Sequence, residues 1–229
     1  MVRQTYQALL IDFYGTISSG DREAVEATSQ RVVEDLALKI DPVEFSVDWG
    51  RRFFAAIETQ NHEQFQTLYD IERQTLAETL AGLGFGQVDP TPYVDALVEY
   101  WAHPTLHPES LEALANLNLP VCCVSNADTA DVLSAVEHHD LRFDHIITSE
   151  DARCYKPAPA IFEQALARLS LEPHQVVHAG DSLHADVQGA RRMGITTVWV
   201  CRQGRIFDVG NSEPDHKISS LNELQDILC

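Results

Sequence analysis

The chain is short of positive charge. Sixteen Lys and Arg stand against 35 Asp and Glu, a formal charge of −19 at pH 7 over 229 residues. Acid spread along the whole sequence favours solubility and opposes binding to nucleic acid or to an anionic membrane. An anionic ligand must therefore be drawn in by a local arrangement of groups. Cysteine is sparse too: Cys122, Cys123, Cys154, Cys201 and Cys229 are odd in number and lack a Cys-x-x-Cys spacing. This argues against a thiolate metal site or a disulfide framework. Cys122 and Cys123 are neighbours in an apolar run and are expected to pack as small core residues, and a reducing, cytoplasmic setting fits best. No apolar run is long enough to span a bilayer, and a strand begins too near the first residue to leave room for a signal peptide. Repeats and low-complexity segments are also lacking.

With 45% hydrophobic residues, the chain can bury one substantial core plus a smaller appendage. The run Ala8-Leu9-Leu10-Ile11 ends abruptly in Asp12-Phe13-Tyr14-Gly15-Thr16. It reads as a buried parallel strand that delivers a carboxylate to the carboxyl edge of a sheet, where α/β folds bind ligands. A carboxylate there can be a nucleophile, a metal ligand or both. The pattern then turns helical: about Arg22 to Leu38, Val47 to Thr59, His62 to Leu83 and Pro92 to Trp101 carry apolar residues at three- and four-residue spacing. Breaks are expected at Asp41-Pro42, Gln60-Asn61 and the Gly- and Pro-rich stretch from Gly82 to Pro92.

From Glu109 onward helices alternate with strands at Val121, at His145 to Thr148, at Val176 and at Thr196 to Val200. Alternation predicts a doubly wound parallel sheet, a Rossmann-like α/β core, with the first strand central. The expected division is a core of residues 1–17 and 104–229 and an inserted α-helical cap of residues 18–103, linked near Ser18 to Gly20 and His103 to Pro108.

Three further motifs follow in order. Val121-Cys122-Cys123-Val124 runs into Ser125-Asn126, Lys156-Pro157 follows an acidic turn, and Val176-Val177-His178-Ala179 runs into Gly180-Asp181-Ser182, with Asp186 beyond. Singly, each has an ordinary reading: Ser-Asn as a helix cap, Lys before Pro as solvated surface, Asp186 as an acid near a helix N-terminus. Together they supply the hydroxyl, lysine and acidic pair that phosphoryl chemistry needs.

With these four motifs the chain resembles the haloacid dehalogenase superfamily of hydrolases from about Gln7 to Leu224, including the late segment Glu213-Pro214-Asp215-His216-Lys217-Ile218. The resemblance implies Asp12 as nucleophile, steadied by Thr16, with Lys156 neutralising charge. Ser125 and Asn126 would bind the substrate's oxygens. Mg²⁺ would be held by Asp12, Asp181 and the Tyr14 carbonyl, with Asp186 and Ser182 behind them. Arg51 and Arg52, beside Trp49, are candidates for a substrate anion.

Tyr14 is anomalous, because most phosphatases of that family carry a second Asp at this position to protonate the leaving oxygen. Asp-x-Tyr-Gly-Thr resembles the 2-haloacid dehalogenases, where halide leaves without a proton. Asp181 resembles the magnesium phosphatases, so the chain reads as a hybrid of the two. The crowding of Asp12, Asp181 and Asp186 around one lysine favours a bound cation. The leading expectation is a Mg²⁺-dependent phosphatase of a small anionic metabolite. The alternatives are a 2-haloacid dehalogenase-like hydrolase and a phospholigand-binding module without turnover. His184 and His62 are candidate substitute acids, and the chain is expected to be a monomer or homodimer.

Overall fold

The computed structural model describes residues 6–202 and 212–228. Six strands form one parallel sheet: β1 (Ala8–Ile11), β4 (Val121–Ser125), β5 (His145–Thr148), β6 (Val176–Gly180), β7 (Thr196–Val200) and β8 (His216–Ile218). Their order is β5-β4-β1-β6-β7-β8, so the first strand lies inside the sheet with β4 and β6 beside it. In register, Ile11 faces Cys123 on one side and Ala179 on the other. The motif residues that follow these three strands therefore emerge together at one sheet edge.

Alternation along the strands builds two cores. Leu9, Ile11, Cys123, Val177 and Ala179 pack on one face with Val132 and Ala135 of α6 (Thr129–His138) and Leu224 of α10 (Leu224–Leu228). Ala8, Leu10, Cys122, Val124 and Val176 pack on the other with Ile161, Phe162 and Ala165 of α8 (Pro159–Leu169). Successive side chains of a strand point to opposite faces, which separates the two adjacent cysteines. Helices thus cover both faces, as a buried parallel sheet requires. The strand β8 falls within the late segment, where the sequence pattern gave no strand.

Between β1 and β4 four long helices gather: α1 (Asp21–Asp35), α2 (Pro42–Thr59), α3 (Leu68–Gly82) and α4 (Thr91–Ala102). They bury their own cluster around Val32, Phe45, Trp49, Leu76, Leu80, Val94 and Leu97. Two helix starts differ from expectation. The break at Asp41-Pro42 does separate α1 from α2, but the second helix begins there rather than at Val47: the Asp41 side chain accepts from Val43 N and Pro42 opens α2, a usual pairing of N-cap and first helical residue. The third helix begins at Leu68 rather than His62, because His62 has φ 57 and Thr67 supplies the cap. The linkers pair antiparallel as β2 (Ser18–Ser19) and β3 (Thr105–Leu106). Among the described residues, no helix is long and apolar enough to cross a membrane.

Candidate active site

Asp12 leaves the end of β1 buried, 5% exposed as a residue, with its amide bonded to Ala179 O at 2.9 Å. Lys156 Nζ, 3% exposed, donates to Asp12 Oδ1 at 2.6 Å, to Asp186 Oδ1 at 2.7 Å and to Val124 O at 2.9 Å. Three acceptors match the three protons of an ammonium, so this buried charge is fully served. Asp186, 1% exposed, also meets His178 Nε2 at 2.9 Å and accepts Ser182 N at 3.0 Å. Thr16 Oγ1 lies 3.1 Å from Asp12 Oδ2 and 3.4 Å from Asp181 Oδ1. Carboxylate oxygens of Asp12, Asp181 and Asp186 all lie within 4.8 Å of one another.

This crowding sets the titration. Burial pushes the Asp12 carboxyl above its ordinary value, Lys156 opposes the shift, and Asp186 adds to it. Asp186 stays well below the usual carboxylate range: burial works against ionisation, but Lys156 and His178 outweigh it. Burial likewise works against the Lys156 charge, and the two carboxylates more than offset it and raise its pKa. The donor set consists of hard oxygens with more negative charge than one lysine balances, which fits a small divalent cation.

Two glycines permit the crowding. Gly15 has φ 79, and a Cβ there would lie 2.5 Å from Asp181 Oδ2. A Cβ on Gly180 would collide with the Asp186 carboxyl. Both are close backbone approaches that only glycine allows.

The family profile of haloacid dehalogenase-like hydrolases matches residues 6–194. The chain belongs to that family. This hydrolase is 29% identical over 123 residues to the (S)-2-haloacid dehalogenase of Pseudomonas sp. strain YL, covering 53% of each chain. It is 36% identical over 90 residues to the glyceraldehyde 3-phosphate phosphatase of Methanopyrus kandleri, covering 38% of each. The chain thus spans about half the length of the first relative and less of the second. The solved L-2-haloacid dehalogenase of Xanthobacter autotrophicus superposes with a TM-score of 0.79 at 20% identity, covering 98% of each chain, a likeness of fold.

Several residues of the hydrolase stand elsewhere than expected. Asn126 is engaged on both sides with the Lys156 backbone, donating Nδ2 to its carbonyl at 3.1 Å and accepting its amide at 2.7 Å. It positions the lysine loop. Ser125 Oγ is buried without a hydrogen-bond partner among the described residues, as a ligand-binding hydroxyl would be. Ser182 caps the following π-helix (Leu183–Gln188) by accepting Ala185 N; helical structure thus begins before the expected Asp186.

Tyr14 turns away from Asp12. Its hydroxyl donates to Trp101 O at 2.7 Å, and burial pushes its pKa above the ordinary tyrosine value. The phenol cannot serve as a base near neutral pH.

Arg51 and Arg52 are not brought to the site. Both pair with Asp48 on their own helix, and Arg52 lies beside Gly82 at the far end of α3. That end is about 20 Å along the helix from Leu68, where α3 meets the core. His184 Nε2 contacts Glu58 at 2.6 Å, and the His62 amide donates to Arg153 O at 2.7 Å.

The sequence reading also passed over Asp128, which accepts Leu68 N and Tyr69 N at 2.8 and 2.9 Å and so seats α3 on the loop after β4. It passed over His178, whose signal was a polar residue inside an apolar strand.

Proposed function

We propose that this hydrolase removes phosphate from small phosphorylated metabolites, with Asp12 as nucleophile and Mg²⁺ as cofactor. The observation that carries the reading is Asp181, with a carboxylate oxygen within 4.8 Å of those of Asp12 and Asp186 and 3.4 Å from the Thr16 hydroxyl that also faces Asp12. Three carboxylates and one lysine leave surplus negative charge, and attack on a carbon–halogen bond gives Asp181 no task. Asp12, Asp181 and the Tyr14 carbonyl would hold the ion. When bound, it supplies positive charge to the transferring phosphate.

The chain's own groups account for the remaining steps. Asp12 attacks phosphorus, and water then cleaves the aspartyl phosphate. Lys156 balances charge shared by Asp12 and the phosphate, while Asp186 and Asn126 hold Lys156 in place. Ser125 Oγ is free to donate to a phosphate oxygen. Four unpaired cysteines among the described residues suit a cytoplasmic setting.

Dehalogenation is the second reading, favoured by Tyr14 in the place of a leaving-group acid and by the (S)-2-haloacid dehalogenase relatives. The pairing of Arg51 and Arg52 with Asp48 on their own helix weakens it. The test is phosphate release from 4-nitrophenyl phosphate with Mg²⁺ or chelator, beside halide release from 2-chloropropionate. Phosphate release that needs the metal and falls ~10³-fold or more in Asp12→Asn is expected. Halide release that survives chelation would replace this reading with the second.

A further inference from the structure

The helix that carries Arg51 is apolar on two faces. Phe45 and Trp49 of α2 are buried in the cap. Val43 and Val47, each 56% exposed, and Phe54, 64% exposed, stand on the helix's other side. At 3.6 residues per turn, Val43, Val47, Gly50 and Phe54 fall within an arc of about 60°, turned away from Phe45 and Trp49. Their spacing of four, three and four residues is that of a helix seam. Gly50 leaves a notch in the seam, because a Cβ there would meet nothing beyond its own stretch of helix within 4 Å. One apolar stripe is enough to dock a surface helix on its own domain, and a second marks a contact with something else.

The charges beside the stripe select what covers it. Glu44, Arg51 and Glu58, all exposed, follow one flank at seven-residue spacing, while Ser46 and Phe53 on the other flank carry no charge. A uniformly acidic flank would suit a basic partner; this one is complementary to itself. Laid parallel, two copies of α2 would set Glu44 against Glu44 and Arg51 against Arg51. Laid antiparallel about a two-fold axis between Val47 and Gly50, they set Glu44 of each copy against Arg51 of the other, twice. The same register places Val47 opposite the Gly50 notch. It also places Phe54 opposite Val43, where a groove of about 530 Å³ is lined in part by Ile40, Val43 and Val47. The Arg51 side chain is 73% exposed and meets Asp48 at 3.3 Å, which leaves further guanidinium donors for a carboxylate across the seam. A chain of charge −19 repels its own copies at long range, so self-association needs local attraction of this kind.

We propose that the protein forms a two-fold dimer through α2, the antiparallel helices meeting along Val43, Val47, Gly50 and Phe54 and flanked by two Glu44–Arg51 pairs. A contact of one patch with itself closes at two copies. From Val43 to Phe54 the seam runs about 16 Å. That is short for a permanent interface, so dimer and monomer exchange in the micromolar range. The dimer is independent of which bond Asp12 attacks.

Sedimentation velocity on the full chain tests it, and wild type should pass from monomer to dimer between about 1 and about 100 µM. Val47→Glu puts a carboxylate from each copy into the seam and should weaken association ~100-fold or more, leaving monomer throughout. An unchanged circular dichroism spectrum would report that this exposed substitution leaves the fold intact. Glu44→Arg and Arg51→Glu each set like charges together twice, and each should weaken the dimer about 10-fold. The double variant Glu44→Arg/Arg51→Glu restores opposite charges and should return to within about 3-fold of wild type. Wild type that stays monomeric at the highest concentration would overturn the proposal. So would a dimer that persists in Val47→Glu, or a double variant no stronger than its two single changes combined.

Discussion

Core and cap bury charge in opposite ways. Around Asp12 the core takes carboxylates and an ammonium out of water together, and pairs them at 2.6 and 2.7 Å. The cap buries Glu72 without a cation and leaves Arg51 and Arg52 paired with Asp48 at the surface. The difference teaches a division of labour. Paired charge is built on the strand ends, while the helical part buries a carboxyl whose neutral form requires no ionic partner.

Removing a core charge should produce the largest effect. Lys156→Met leaves Asp12 and Asp186 buried without their cation, a change that costs ~3–5 kcal/mol where a buried pair is broken. Thermal unfolding should shift down by roughly 10 °C, and added Mg²⁺ should recover part of the loss. A shift under about 2 °C would mean that the Lys156 network contributes little to the core.

An intermediate effect is expected from the cap carboxyl. Glu72 binds its proton more tightly folded than unfolded, with a folded value of about 8 against an ordinary 4.5. Its favourable contribution is complete below about pH 4.5 and is lost as pH rises through 8. Between pH 6 and 8.5 the wild type should therefore lose more thermal stability than Glu72→Gln. Parallel declines would show that Glu72 is ionised in the folded protein at neutral pH.

Much of this contrast was legible in the sequence on the core side only. Asp12, Ser125 and Asp181 are exposed by a simple signal, an apolar run that stops at a polar residue, and adjacent parallel strands force those stops to one edge. The cap has no such edge, and its residues are read by helical phase. Phase would have rejected Arg51: Phe45 and Trp49 mark the buried stripe of α2, and two residues past Trp49 is a turn of about 200°, facing outward. Phase also places Glu72 on the buried stripe of α3 with Ile71, Thr75, Leu76, Thr79 and Leu80. The hydrogen bonds from the Tyr14 hydroxyl to Trp101 O and from the Trp101 indole to Glu72 join residues distant in sequence, and only the fold brings them together.

The smallest effect should come from the arginines. Arg51→Ala and Arg52→Ala remove half-exposed or exposed pairs with Asp48, and such pairs contribute little. Turnover and KM should stay within about two-fold of wild type. A large rise in KM would show that α2 turns toward the substrate when the cap closes.

The most direct test of the central claim is the fate of oxygen from labelled water. Turnover in H₂¹⁸O with 4-nitrophenyl phosphate and 2-chloropropionate supplied together, under single-turnover conditions, separates the two chemistries by mass. Water that attacks an aspartyl phosphate at phosphorus leaves ¹⁸O in the released phosphate and none in the Asp12 peptide, the result expected here. Label in the Asp12 carboxylate, with unlabelled phosphate esters remaining intact, would mean that water cleaved a carbon ester, and would contradict the account.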